Sequence, residues 1–264
     1  MKFLVSCFLF LASCILFSCG NDASESEVEN PKVDSLNVNA IVTSGEIKII
    51  EPVADEEIVV LKKSGITLTE IKPEHNKEAT IKINTKQFSE GENHLSFSVS
   101  GVQGYSISYL ANNYSLSQFS SDVFDVEFLY GNNVFLAFLT DKNGISIKTN
   151  KGCVLKNAVL GGVESLFDMN QPHLFYYLPQ AETNEPILDF YLVNTSISES
   201  GNKVKITINE TEFIIKKWAA YKVSGLKNIK NTVRIQLIDK NGNLINGPFN
   251  DSGDRTFHFV NRTS

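Results

Sequence analysis

Cysteine is scarce in this chain of 264 residues: Cys7, Cys14, Cys19 and Cys153 are all it has. Three of them crowd the N-terminus, so Cys153 stands alone in the body. A lone thiol has no intramolecular partner, which excludes a disulfide framework, and no Cys/His spacing of a zinc site occurs. Cys153 precedes Val154-Leu155 and reads as a small buried hydrophobe rather than a nucleophile. Basic charge is also in deficit, with 24 Lys+Arg against 30 Asp+Glu and a net charge of −6 at pH 7. That balance argues against a nucleic-acid partner and against a polybasic membrane patch. The catalytic signatures are missing too: there is no G-x-S-x-G elbow, no H-E-x-x-H, no P-loop and no Rossmann glycine run. His75, His94, His173 and His258 are scattered singly. Glu56 and Glu57 are neighbours, and neighbours on a strand point to opposite faces, so they do not face each other across a cleft. No catalytic residue, metal ligand or cofactor is expected.

What is present begins at the N-terminus. Lys2 precedes an uncharged run from Phe3 to Ser18, rich in Phe and Leu. The run falls short of a typical spanning helix and sits where a secretory signal does. It ends in Leu16-Phe17-Ser18-Cys19, which resembles the lipobox of bacterial lipoproteins, where a peptidase cuts before a cysteine that carries diacylglycerol. Leu11-Ala12-Ser13-Cys14 is a second match. Cutting at Cys14 leaves apolar Ile15-Leu16-Phe17 at the mature end, whereas cutting at Cys19 leaves polar Gly20-Asn21-Asp22. Cys19 is therefore the expected lipidation site and residues 1–18 the signal peptide. The resemblance implies a palmitoylated outer-membrane lipoprotein of the cell envelope, whose membrane partner is reached through the N-terminal lipid. Several acyl chains hold stably where one is marginal.

Residues 19–44 carry Asp22, Glu25, Glu27, Glu29 and Asp34 against Lys32, with no aromatic residue. They read as an acidic disordered tether. The acids close behind Cys19 resemble the export signals that send some Bacteroidota lipoproteins to the outer face of the outer membrane. A plain solubilising linker has the same composition, so periplasmic and surface-facing orientations both stay open. Asp34-Ser35-Leu36 resembles the site that the same bacteria O-glycosylate, which marks Ser35.

The rest is strand upon strand. Ala79–Ile83, His94–Val99 and Val204–Ile208 alternate apolar and polar residues between Gly, Asn and Ser turns. No helical stripe of useful length appears, and 18 Phe and 8 Tyr agree with a β-rich body. The chain also repeats itself. VFLAFLTDKNG (Val134–Gly144) answers VRIQLIDKNG (Val233–Gly242). Working upstream, Phe119 falls near Trp218, Ile107 near Ile206, and Leu95–Val99 near Leu188–Leu192. The shared Asp-Lys-Asn-Gly reads as a hairpin loop, because Asn-Gly supplies the positive φ a tight turn needs and no acid follows to close a calcium loop. The expected fold is all-β: two tandem immunoglobulin-like β-sandwiches, residues 45–160 and 161–264, each near the size of a typical small domain.

One cluster is aromatic: Pro172-His173-Leu174-Phe175-Tyr176-Tyr177-Leu178-Pro179, with Trp218 and Tyr221 further on. Tyr176, Tyr177, Trp218 and Tyr221 form either a ligand platform for a sugar or peptide or the core of the second sandwich. The pairing of Trp218 with Phe119 favours the core.

The stretches Pro172–Gln180, Leu188–Phe213, Lys217–Asn228 and Asn231–Asn250 resemble a family of uncharacterised Bacteroidota lipoproteins often labelled phosphopeptide-binding proteins. The resemblance implies an exported envelope protein. Where that family tends to read Ser-Arg-Pro-Lys-Gly, this chain reads Tyr177-Leu178-Pro179-Gln180-Ala181, without the basic forks a phosphate needs. The His-x-His of the family's first domain has no counterpart in Tyr105–Tyr109. The expected function is a non-catalytic binding or scaffolding module of the envelope, with an envelope protein or glycan as partner. The alternative is a surface lipoprotein that binds carbohydrate or peptide through the aromatic platform.

Overall fold

The computed structural model describes residues 40–43, 45–52, 57–72, 78–227 and 229–260. The expectations for the signal peptide, Cys19 and Ser35 lie outside these residues. Alternating β-branched and aromatic residues form strands throughout, and no helix occurs among the described residues. The first six are β1 (Ile41–Thr43), β2 (Val60–Lys63), β3 (Ile66–Ile71), β4 (Thr80–Ile83), β5 (Gly91–Ser100) and β6 (Ser106–Ala111). Next come β7 (Ser115–Phe119), β8 (Val123–Phe128), β9 (Gly131–Thr140), β10 (Cys153–Leu160), β11 (His173–Tyr177) and β12 (Glu182–Thr183). The last are β13 (Ile187–Val193), β14 (Lys203–Ile208), β15 (Thr211–Ile215), β16 (Ala220–Ser224), β17 (Lys230–Ile238) and β18 (Arg255–Phe259).

The strands make two sandwiches. In the first, β4-β5-β8 packs on β1-β10-β9-β6-β7; in the second, β11-β13-β16-β3-β2 packs on β12-β18-β17-β14-β15. Strands β4 to β10 and strands β11 to β18 distribute themselves over their two sheets in the same order, β12 being an addition. That order is immunoglobulin-like. The Asp-Lys-Asn-Gly loops are also the same object. Asp141 N–H reaches Ile145 O and Gly144 N–H reaches Asp141 O; Asp239 N–H reaches Asn243 O and Gly242 N–H reaches Asp239 O.

The residue pairing of the repeat differs from the sequence alignment. Leu139 and Leu237 lie opposite Ile107 and Val204, which lie opposite Phe119 and Ile215. Phe119 therefore matches Ile215, not Trp218. Leu237 follows Ile215 by 22 positions where Leu139 follows Phe119 by 20, and the β6–β7 turn holds Asn112-Asn113-Tyr114 where the β14–β15 turn holds only Asn209-Glu210; these two length differences throw the register. The ring kept in both copies is Phe124 opposite Leu95 and Tyr221 opposite Leu188.

Two segments lie elsewhere than the sequence reading put them. Ile41–Thr43, assigned to the tether, pair with Val159, Ala158 and Asn157 of β10, because a β-branched run beside a sheet edge gains ladder bonds. β2 and β3 lie within the expected first domain, but β3 pairs with β16 of the second sandwich and β2 follows as that sheet's edge. The chain thus enters the first sandwich, crosses to the second, returns, and crosses again. Glu70 fixes this strap: its carboxylate accepts Val59 N–H at 2.9 Å and pairs with Lys217 Nζ at 2.9 Å. Gly225, at φ 80°, lies where a Cβ would overlap the Gly65 carbonyl, so only glycine lets the β2–β3 turn close on β16.

The seam between the sandwiches is core, not surface. On β9, Phe135, Ala137 and Leu139 face the first sandwich's cluster, while Val134, Leu136 and Phe138 join the cluster of the second. A strand covered on both faces reads as an unbroken apolar run, which Val134-Phe135-Leu136-Ala137-Phe138 is. Phe138 packs on Tyr191 of β13 with ring centroids 5.5 Å apart. Tyr191 donates its hydroxyl to Ile147 O at 3.1 Å. Beside it, Lys148 Nζ meets Asp189 Oδ1 at 2.8 Å, with side chains only 3% and 5% exposed. Ser146 Oγ takes another Lys148 proton, and Asp189 Oδ2 accepts Ser146 N–H at 2.9 Å.

Removing one partner of such a pair strands the other charge. Lys148→Ala is expected to cost about 3–5 kcal/mol in denaturant unfolding. The double change Lys148→Met/Asp189→Leu is expected to recover most of that loss, and a Lys148→Ala protein of unchanged stability would contradict the geometry.

Candidate functional site

The extra residue in the β6–β7 turn builds a cleft. Asn112 and Asn113 sit at φ 49° and 53°, a conformation asparagine tolerates. Asn113, 3% exposed, crosses the seam to β11: its Nδ2 donates to Leu174 O at 3.1 Å and its Oδ1 accepts Tyr176 N–H at 3.0 Å. Asn250 does the same beside it, accepting Leu174 N–H at 2.9 Å and donating to Pro172 O at 3.0 Å. Two side-chain amides thus stand in for a neighbouring strand along the outer edge of β11.

The same turn lifts Tyr114 into solvent, 78% exposed. The Arg255 guanidinium lies 5.2 Å from its ring centroid. Arg255 Nε donates to Ser252 O at 3.1 Å. Between the β6–β7 hairpin and the chain leaving β11 opens a cleft of about 640 Å³, walled by Tyr114 and Leu116 on one side and by Tyr177, Pro179 and Arg255 on the other. A smaller cleft of about 170 Å³ shares Tyr177, Pro179 and Gln180 and extends to Gln118 and Gly144.

The four expected platform residues divide. Tyr177 is half-buried and lines both clefts. Tyr176 borders the larger cleft but is 9% exposed; burial raises its hydroxyl pKa and Arg255 beside it pulls the other way. Trp218 and Tyr221 are not on the surface. Trp218 Nε1 donates to Phe190 O at 2.7 Å and meets the Tyr191 ring edge-on at 5.1 Å. Tyr221 donates to Lys217 O at 2.9 Å, and burial raises its hydroxyl pKa. Both satisfy their polar atoms on backbone and brace the second sandwich, so neither can be part of a platform. Sequence reasoning missed Tyr114 and Arg255. Asn112-Asn113 ahead of Tyr114 is a turn signal that places a ring at a hairpin tip; nothing in the sequence joins it to Arg255.

His173 anchors the start of β11. It is fully buried, stacks on Phe167 at 4.3 Å, and its Nε2 lies 2.7 Å from Asp168 O, while Nδ1 has no partner among the described residues. Burial lowers its pKa below the ordinary 6.5. Cys153 is buried against Tyr191, and its thiol is pushed up to about 12, which makes it inert. Among the described residues no group of three His, Cys, Asp or Glu could hold a metal ion. In the Asp-Lys-Asn-Gly loops the aspartates serve the backbone: Asp141 Oδ1 accepts Asn143 and Ile145 N–H, and Asp239 Oδ1 accepts Asn241 and Asn243 N–H.

No family model matches the chain, and no curated protein matches it. Among solved structures, the fibronectin(III)-like modules of Clostridium thermocellum CbhA align over 67% of this chain and 92% of theirs, at 10% identity and a TM-score of 0.23. At that score the likeness carries no argument, and the fold assignment rests on strand order.

His173 makes stability depend on pH. The unfolded chain takes up a proton at the ordinary 6.5 while the folded protein resists it to lower pH. The contribution is therefore intact above about 6.5 and is lost as pH falls below it. Denaturant midpoints measured from neutral to mildly acidic pH are expected to drop, and His173→Gln to flatten the drop. Tyr114→Ala, by contrast, is expected to leave the unfolding free energy within about 0.5 kcal/mol of wild type, as an exposed ring should.

Proposed function

We propose that this chain is a lipid-anchored protein of the cell envelope, held to the outer membrane through Cys19, that binds or scaffolds an envelope component without catalysing a reaction. The resemblance of its C-terminal half to a family of Bacteroidota lipoproteins supports this reading. The observation that carries the reading is the cleft at the seam, whose walls come from both sandwiches. Binding sites favour such concave junctions between rigid bodies. The cleft's polar groups support recognition over chemistry. Asn113 is spent on β11 and Arg255 on Ser252 and the Tyr114 face. Ring surface of Tyr114 and Tyr177 lines the cleft beside the polar side chains of Ser115, Gln180 and Thr256. A second reading, a carbohydrate site, draws on that surface, since Tyr114 and Tyr177 line one cleft and sugars stack on exposed rings.

Two tests apply. Metabolic labelling with palmitate is expected to mark wild type and Cys14→Ala but not Cys19→Ala; label retained in Cys19→Ala would overturn the anchor assignment. For the cleft, Tyr114→Ala/Tyr177→Ala is expected to lose about tenfold or more of the wild-type affinity for the ligand recovered from solubilised envelope. Equal affinity would place the binding surface elsewhere.

A further inference from the structure

The edges of the four sheets are not alike. A sheet edge carries unpaired N–H and C=O groups, and proteins blunt it by shortness, charge or cover. Strand β1 has only three residues and β12 only two. Strand β2 carries Lys62 and Lys63, β4 carries Lys82, β8 carries Asp125 and Glu127, and β15 carries Glu212. Strand β11 is covered by the amides of Asn113 and Asn250. Strand β7 is the exception. Its sequence, Ser115-Leu116-Ser117-Gln118-Phe119, has no charge, no proline and no glycine, and nothing pairs with its outer edge among the described residues.

The register says which groups point outward. Asn112 donates its N–H to Val134 O on β9, and Ala111 O accepts Tyr114 N–H on the other side. Alternation then turns Ala111, Tyr109 and Ile107 toward β7, where they face Ser115, Ser117 and Phe119. The backbone groups of Leu116 and Gln118 therefore point away from the sheet. These two residues line the clefts: Leu116 the larger, Gln118 the smaller. Tyr177, Pro179 and Gln180 line the facing wall of both.

From this we infer that β7 takes an extended polypeptide segment as an added strand, bonded through the backbone of Leu116 and Gln118 and enclosed by Tyr114 and Tyr177. This rests on the cleft reading above and names its ligand class. Another extended backbone matches a row of bare amides and carbonyls at strand spacing and displaces the water on them. With Tyr177, Pro179 and Gln180 facing β7, the cleft of about 640 Å³ has room for a short extended segment and not for a folded sandwich, so the occupant is a segment of another polypeptide and not a second copy of this chain. Recognition through backbone needs no charged side chain, in keeping with an uncharged β7.

The test uses the folded residues within the full chain, probed with an array of random ten-residue peptides and, in parallel, with a glycan array. Gln118→Pro deletes one outward N–H while sparing the backbone bonds to β6, a placement an edge strand tolerates; Gln118→Ala is the control that loses the same side-chain bonds to Ser108 Oγ and Thr140 Oγ1 but keeps the N–H. For the best array peptide, Gln118→Pro is expected to weaken binding about tenfold or more and Gln118→Ala to leave it within about twofold. The peptide is also expected to slow hydrogen exchange at the Leu116 and Gln118 amides. Equal binding by wild type and Gln118→Pro overturns strand addition. No peptide binding, with glycan binding lost in Tyr177→Ala, overturns it too and leaves the cleft reading standing. Dimerisation that protects the same two amides overturns the choice of occupant. Loss of all binding in wild type removes both readings.

Discussion

The buried Lys148–Asp189 pair is the constraint on which the arrangement turns. It joins the loop after β9 to the middle of β13 in a site nearly closed to water. Two charges taken out of water are tolerated only where every lone pair and proton finds a partner. Asp189 meets that demand with Lys148, Ser146 N–H and Phe190 N–H. Those partners come from both sandwiches, so the pair is satisfied in one relative placement. Tyr191 adds a second fixed point through Phe138, Ile147 O and Thr149 O. The strap of β2 and β3 adds a third, since the second sandwich is completed by a hairpin whose two ends run back to the first.

A fixed seam gives the cleft a fixed shape. The two sandwiches share one strand order and differ where they meet. The first copy's β6–β7 turn is longer, and its added length supplies Asn113 to hold β11 and Tyr114 to line the cleft. The second copy's β14–β15 turn is the short form and stays clear of the seam. One inserted residue thus makes both the clamp and the wall. Preorganisation of that kind lowers the ordering cost of a ligand, because the walls do not have to assemble around it.

Much of the fold was legible in the sequence. Alternating runs identified strands, and Asp-Lys-Asn-Gly in two copies exposed the repeat, since that loop keeps its hydrogen bonds in both. The register was not legible. Alternating apolar residues align as well two positions out, and the difference in turn length between Asn112-Asn113-Tyr114 and Asn209-Glu210 shows only when strands are paired. The crossing of β2 and β3 was hidden for a related reason: Leu61 and Leu68 look the same whichever sheet they join. For the site, the aromatic cluster was visible, but its division was not. Trp218 and Tyr221 are as ring-rich as Tyr177, and only their backbone partners, Phe190 O and Lys217 O, mark them as core. Arg255 and Tyr114 are far apart in the chain, and no local pattern brings them together.

The claim that most else rests on is that the seam opens only when the whole body unfolds. Ser146 reports it directly, because its amide hydrogen is held by Asp189 across the seam. Native-state hydrogen exchange of Ser146, set beside Leu139 in the first sandwich and Leu237 in the second, measures that opening. The account predicts that Ser146 exchanges with the same free energy and denaturant dependence as the two core amides. Exchange of Ser146 at markedly lower free energy, with Leu139 and Leu237 still protected, would mean that the sandwiches part while folded, and would contradict a preformed cleft.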